Sequence, residues 1–333
     1  MTTETVCGTL FFVDSIQRKG CIFMQKTQLK GVFMLLLTAF IWGSSFVAQG
    51  MGMEQVQAFT FNGIRTLLGA AVLLPVIAAG EIRKNKKAPV SKEVKKAENI
   101  KVLKKGTVLG IMLCVAGNLQ QFAFNWTSAG KIAFITAFYM LFVPVLGLFL
   151  KKKVALPTWL CIVAGVVGLY FLCICGKGLS GINFGDFLAF LCSIAFAVHI
   201  LTVERIAGDV DSVKLSCVQF AVAGSVTCIL MFIFEEPTAA ALKASAMPIM
   251  YSGFLSCGVA YTLQIVGQKY TESTVASLLM CMESVFGVVC SAIILKEKMT
   301  AWEVLGCVIM FVAIIVSQIN FKTLFAHRKA ARL

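Results

Sequence analysis

The sequence predicts an all-α integral membrane protein: ten transmembrane helices in two inverted-topology five-helix repeats, with both termini cytoplasmic. Three observations carry this. Of 333 residues, 59% are hydrophobic and 14% charged, whereas soluble domains average about 45–50% apolar and about 25% charged. The apolar residues fall in blocks of about 20, the length that crosses a bilayer as a helix. Lys and Arg crowd onto alternate connections between those blocks, as membrane orientation requires. A mean hydropathy of +0.87 leaves no room for a soluble enzyme, a disordered chain or a secreted disulfide scaffold.

Charges and Gly/Pro breaks place the spans near 31–50, 57–80, 107–126, 131–150, 158–176, 185–203, 213–234, 247–268, 274–295 and 301–320. Residues 1–30 form a cytoplasmic arm. Its first 23 residues fit no signal-peptide pattern, and Met24 opens a basic lead into the first span, so translation is expected to start there. Residues 81–106 are too charged to insert and read as a basic, partly helical cytoplasmic loop. The first repeat covers 31–176 and the second 185–321, and residues 322–333 form a basic cytoplasmic tail.

With the N-terminus inside, only Lys131, Lys177, Lys243, Lys296 and Lys298 face outward, and Arg65 alone lies within a span. This distribution assigns the net charge of +14 to the membrane surface and not to a nucleic acid. Trp126, Trp159 and Trp302 sit at span ends, as interface anchors do. Most of the 13 cysteines lie inside apolar blocks, where they act as small hydrophobes. Cys173 and Cys175 match neither zinc nor redox spacing, so no metal or cofactor is expected.

An internal repeat supports the two halves. One register lays Thr127 on Thr271, Phe142 on Phe286, Val145 on Val289 and Lys152 on Lys296. A second lays Trp42 on Phe196, Ser45 on His199 and Arg65 on Gln219. Five spans per half turn the second copy upside down, and such pairs hold a binding site between them near the midplane.

Residues 31–75, 117–150, 185–199 and 275–311 carry further pattern: Trp42-Gly43-Ser44-Ser45-Phe46, the run Phe134–Tyr139 followed by Val143-Pro144, and Glu283-Ser284-Val285-Phe286-Gly287. Together they resemble the drug/metabolite transporter superfamily, in its bacterial ten-helix branch with two EamA-type repeats, over nearly everything from Lys30 to Phe321. Lys296-Glu297-Lys298 departs from the G-E-x turn usual there, and the 81–106 loop is longer and more basic. The resemblance implies a secondary transporter in the cell membrane, often an exporter of amino acids, other metabolites or drugs.

Polar groups inside spans are costly unless paired or facing a cavity. Glu283 is the one mid-span acid; it reads as a protonatable cavity group or as a structural partner through the Ser284 region, and the resemblance places a matching acid here. Arg65 reads as a receptor for a substrate carboxylate or as the partner of Glu283 or a helix C-terminus. His199 is a proton relay, a cavity hydrogen-bonder or a packed core residue. Polar stripes at helical spacing mark three helices: Trp42, Ser45 and Gln49; Asn118, Gln121 and Asn125; Tyr261, Gln264 and Gln268. A shared hydrated cavity explains three stripes better than helix–helix glue does. Tyr139 joins the cavity set, and Pro144 marks a kink suited to gating or a static bend. Gly165, Gly168 and Gly306 read as close-packing positions.

These residues predict a carrier of a small organic solute through a cavity lined by helices 1–4 and 6–9, with helices 5 and 10 bracing the rim or a dimer contact. One base and one acid suit a zwitterion such as an amino acid. Export in exchange for protons, with Glu283 the acceptor, is the expected mechanism, and efflux of cationic drugs is the rival. The expected partners are the solute, the bilayer and protons, in a monomer or homodimer. A membrane enzyme lacks its constellation in this sequence, and a sensor lacks an output domain.

Overall fold

The computed structural model describes residues 26–87, 91–175, 183–294 and 299–317, apart from the side chains of Lys26, Lys87 and Ser291. The expected start at Met24, the tail at 322–333, Lys177 and the Lys296-Glu297-Lys298 turn lie outside these residues.

Every regular element among the described residues is helical. In chain order they are α1 (Lys26–Met53), α2 (Ala58–Lys87), α3 (Lys92–Ala123), α4a (Ala129–Thr136), α4b (Tyr139–Phe149), α5 (Leu156–Cys173), α6 (Phe184–Ile206) and α7 (Ser212–Phe234). A short helix, Ala239–Ala244, precedes α8 (Ala246–Gln268), α9a (Ser273–Met280), α9b (Met282–Ile294) and α10 (Ala301–Ser317). Among the described residues, 8 helices are long and apolar enough to cross a membrane, with α4a–α4b and α9a–α9b each counted as one. Two of the ten expected spans fall outside that set. Lysines fill the first third of α3, and α10 is a shorter apolar helix whose expected end at 320 lies beyond the described residues.

The segment read as a loop is mostly helix. Helix α2 runs on to Lys87, and α3 starts behind Ser91, whose Oγ accepts the Val94 N–H. Charge keeps these turns out of the bilayer, but Lys, Glu and Ala are good helix formers. Their charges clamp the α6–α7 turn. Lys84 pairs with Asp211 at 2.7 Å, Lys101 and Lys105 pair with Asp209, and Glu81 pairs with Lys95 and Lys214. Lys105 and Lys269 also donate to the Ile206 and Val210 carbonyls, each at 2.8 Å. The hydrogen bonds from Lys101 and Lys105 hold the Asp209 carboxyl well below the usual carboxylate range. Its contribution is therefore in place above the ordinary carboxylate pKa and is lost only as pH falls through the depressed value. Acidification from neutrality to about pH 5 leaves this pairing intact, and molar salt screens it.

At the opposite end, acids cap helices across the bundle. Glu235 accepts the Phe59 N–H at 2.8 Å and the Thr60 N–H at 2.6 Å, which closes the start of α2. In the register that lays Trp42 on Phe196, Glu235 is the mate of Glu81. Helices α2 and α7 thus lie antiparallel, each with an acid near its C-terminal end seated at the start of the other. Asp186 forms a capping box with Asn183 at the start of α6, accepts the Thr127 hydroxyl at 2.8 Å and pairs with Lys131 at 2.7 Å. Asp186→Ala is expected to cost about 2–4 kcal/mol, measured as a lower midpoint of thermal unfolding in detergent.

The helix packing maps onto itself when the halves are exchanged. Helix α1 packs on α8 and α9b while α6 packs on α3 and α4, α2 on α8 while α7 packs on α3, and the pairs α2–α7 and α5–α10 each join the halves. Helices α5 and α10 meet as their glycines foretell: a Cβ on Gly168 would meet the Gly306 carbonyl oxygen at 3.1 Å, and one on Gly306 would meet the Leu172 nitrogen at 2.6 Å.

Candidate functional site

The two broken helices meet at the centre of the bundle. Helix α4 is interrupted at Ala137-Phe138 and α9 at Cys281, so both breaks fall in the same register. Tyr139, first residue of α4b, stands 144 positions before Glu283, and its hydroxyl donates to Glu283 Oε1 at 3.1 Å. Cys281 Sγ donates to the Ala137 carbonyl at 3.5 Å, again 144 positions away. Repeat-related residues that touch each other lie on the axis relating the halves. Breaks in paired helices free backbone groups at membrane depth, which is tolerated only inside protein or beside a cavity.

A small cavity of about 30 Å³ adjoins these breaks. Four repeat-related pairs line it: Trp42 with Phe196, Phe46 with Ile200, Gln120 with Gln264, and Tyr139 with Glu283. Gln49, Arg65, Thr136, Ser256 and Tyr261 complete the wall without a like mate. Helix α7, expected to contribute, gives no lining residue, and α5 and α10 stand away from the cavity as anticipated.

Of the expected residues, Trp42, Arg65, Tyr139, Tyr261, Gln264 and Glu283 share this wall. The Trp42 ring leans on Tyr261 with centroids 4.6 Å apart. Trp42 Nε1, Gln49 Oε1 and Gln264 Oε1 are buried without a hydrogen-bond partner among the described residues. Buried polar atoms rarely go unpaired, and these three belong to residues on the cavity wall. Glu283 is 4% exposed and accepts its hydrogen bond from the Tyr139 hydroxyl, an uncharged partner. Arg65, 6% exposed, forms no ion pair with Glu283; its Nε donates to Asn62 Oδ1 at 3.0 Å and its guanidinium lies 5.4 Å from the Phe61 ring centroid.

Ser45, Asn118, Gln121 and His199 do not line the cavity. Ser45 is fully buried against Ser252 Oγ at 3.3 Å, and His199 Nε2 lies 3.2 Å from Gln219 Oε1. Gln121 is fully buried with neither end of its amide paired among the described residues, while its neighbour Gln120 faces the cavity and Asn118 is taken up by α2 and α7. Asn118 acts at one remove. It donates to Thr227 Oγ1 at 2.9 Å and accepts from Asn62 Nδ2 at 2.8 Å, which turns the Asn62 oxygen toward Arg65. Asn118→Ala is therefore expected to cost about 1 kcal/mol of stability and to weaken solute affinity more than maximal rate, which saturation kinetics would separate.

Pro144 lies inside α4b without ending it, so the interruption of α4 occurs two turns earlier, where contacts with α9 hold it. The residues not foreseen were Phe46, Gln120, Thr136, Phe196, Ile200 and Ser256. The repeat register held the signal for two of them, since Phe196 and Gln120 are the mates of Trp42 and Gln264, while Ile200 is the mate of Phe46, itself unforeseen. Ser256 and Tyr261 sit in a stretch of α8, Ser252–Tyr261, wound with i→i+5 hydrogen bonds, a form often found at functional sites.

The model of the EamA-like transporter family matches residues 29–174 and again 183–318. An uncharacterised transporter of Archaeoglobus fulgidus is 24% identical over 287 residues, covering 85% of this chain and 83% of that protein. The uncharacterised transporter YoaV of Bacillus subtilis is 22% identical over 293 residues, covering 86% and 96%. A protein of known crystal structure shares the fold with a TM-score of 0.67 at 16% identity, over 89% of this chain and 98% of that one.

Proposed function

Because the chain belongs to the EamA-like transporter family, within the drug/metabolite transporter superfamily, we propose that it exports a small zwitterionic solute, an amino acid or related metabolite, across the cell membrane by alternating access. In this reading α3 and α10 complete ten spans in two inverted halves, with both termini in the cytoplasm. The basic extensions of α2 and α3 support that orientation.

One observation carries the substrate class: Arg65 and Glu283 face a single cavity, and each is held by a neutral partner instead of by the other. The Arg65 Nε is engaged, which leaves its terminal nitrogens for a carboxylate. Glu283 then receives an ammonium group. A proton and an ammonium compete for the same carboxylate, so arrival of one releases the other, and this competition couples export to proton entry. Arg65 on the same wall favours this reading over efflux of purely cationic compounds. The repeat-related lining gives the halves a common surface about which to rock.

The test is counterflow of radiolabelled amino acids into proteoliposomes preloaded with the unlabelled form. The proposal expects saturable uptake that empty liposomes lack. Uptake of cationic dyes but of no amino acid would overturn the substrate class and favour the efflux reading.

A further inference from the structure

A second concavity lies between the end of α4b and the end of α6, at the level where both spans leave the bilayer. It has a volume of about 550 Å³ and is open on one side. One wall is apolar: Phe149 is 82% exposed and Leu150 48%. The other is cationic, with Lys151, Lys152 and Arg205. Lys152 is neutralised by Glu204 and also donates to Ser273 Oγ at 3.3 Å. Lys151 and Arg205 have neither hydrogen bond nor ion pair from their side chains among the described residues, and neither is placed in the central cavity.

The backbone at Lys151 adds an independent observation. Its N–H bonds the Leu148 carbonyl at 2.9 Å while the Lys152 N–H reaches back to Gly147 at 3.0 Å, the double closure that ends a helix on a left-handed residue. Lys151 has φ 59°, among the described residues the one non-glycine with positive φ. Glycine ordinarily occupies this position because a Cβ is strained there. A lysine retained against that strain points to a use for its charge.

We propose that this groove binds an anionic phospholipid, its phosphate held between Lys151 and Arg205 and an acyl chain laid along Phe149 and Leu150. Basic pockets between transmembrane helices suit such headgroups. The exposed apolar wall selects the lipid over a free anion, which has no use for it. On α6, Arg205 continues the outward face of Val198, 37% exposed and two turns before it, so an acyl chain laid along that part of the face ends at the cation. The inference rests on the chain's place in a bilayer and not on which solute it carries.

The test uses the full-length protein in nanodiscs of phosphatidylcholine containing phosphatidylglycerol, with retained lipids counted by native mass spectrometry. The wild type is expected to retain phosphatidylglycerol over phosphatidylcholine, and K151G/R205Q to lose that preference roughly 20- to 30-fold. Glycine at 151 relieves the backbone, so a folding defect cannot account for the loss, and an unchanged melting midpoint checks this. K92Q/K96Q, which removes cations from the exposed start of α3, is expected to keep the preference. Equal retention by wild type and K151G/R205Q would overturn the proposal. So would displacement of phosphatidylglycerol by millimolar inorganic phosphate, which would make the groove a simple anion site.

Discussion

Glu283→Gln is expected to abolish pH-gradient-driven accumulation, leaving proteoliposomes no better than empty ones, while exchange of solute without a gradient persists at reduced affinity. Glutamine keeps the size and can still accept from the Tyr139 hydroxyl, so the cavity stays intact while the exchangeable proton is gone. The pH dependence of exchange should vanish with it. A variant that still accumulates solute against its gradient would remove Glu283 from coupling. A variant that loses binding altogether, with accumulation and exchange failing together, would mark the acid as a substrate ligand only.

The second large effect is on stability. A Cβ on Gly43 of α1 would meet the Glu283 carbonyl oxygen at 2.5 Å, the Gly287 nitrogen at 2.7 Å and the Phe286 Cβ at 2.7 Å. Two of these atoms are backbone and cannot rotate away. Gly43→Ala must push α1 from α9b at the break that positions Glu283, at a cost of about 1–3 kcal/mol and with loss of transport. Gly50, two turns along the same helix, has nothing within 4 Å of its Cβ direction. Gly50→Ala is therefore expected to be neutral or stabilising by up to about 1 kcal/mol. Melting curves of the two variants in one detergent give the comparison, and equal midpoints would contradict the packing described for α1 and α9b.

How much of this was legible beforehand depends on which force sets each feature. Transfer to lipid is a local property of composition, so the 8 long apolar helices were readable from hydropathy and breaks alone. Helix ends were less so: in α2 and α3 helix propensity and the Lys84, Lys101 and Lys105 pairs extend structure through a segment whose charge spoke only of water. Helical spacing picks out a face but not what covers it. In α1 the stripe delivered Trp42 and Gln49 to the cavity, yet in α3 Asn118 turned to α2 and α7, and Gln120, off the stripe, faces in. The breaks at Ala137 and Cys281 carry no glycine or proline within them, because contacts from the other half sustain them, and Pro144 drew attention two turns too far along. The wound stretch of α8 had no signal of its own. Applying the repeat register to every polar or aromatic residue, Tyr139 and Glu283 included, was the one step that would have exposed most of the wall.

The central claim is that both halves enclose one hydrated cavity that opens to each side of the membrane in turn. Gln264 sits on its wall, so a Gln264→Cys variant, exposed to a membrane-impermeant maleimide in right-side-out and in inside-out vesicles, reads that claim directly when modification is located at residue 264 by peptide mass spectrometry. The account expects modification from both faces, slowed on both by saturating solute. Modification from one face alone during turnover, or from neither, would contradict it.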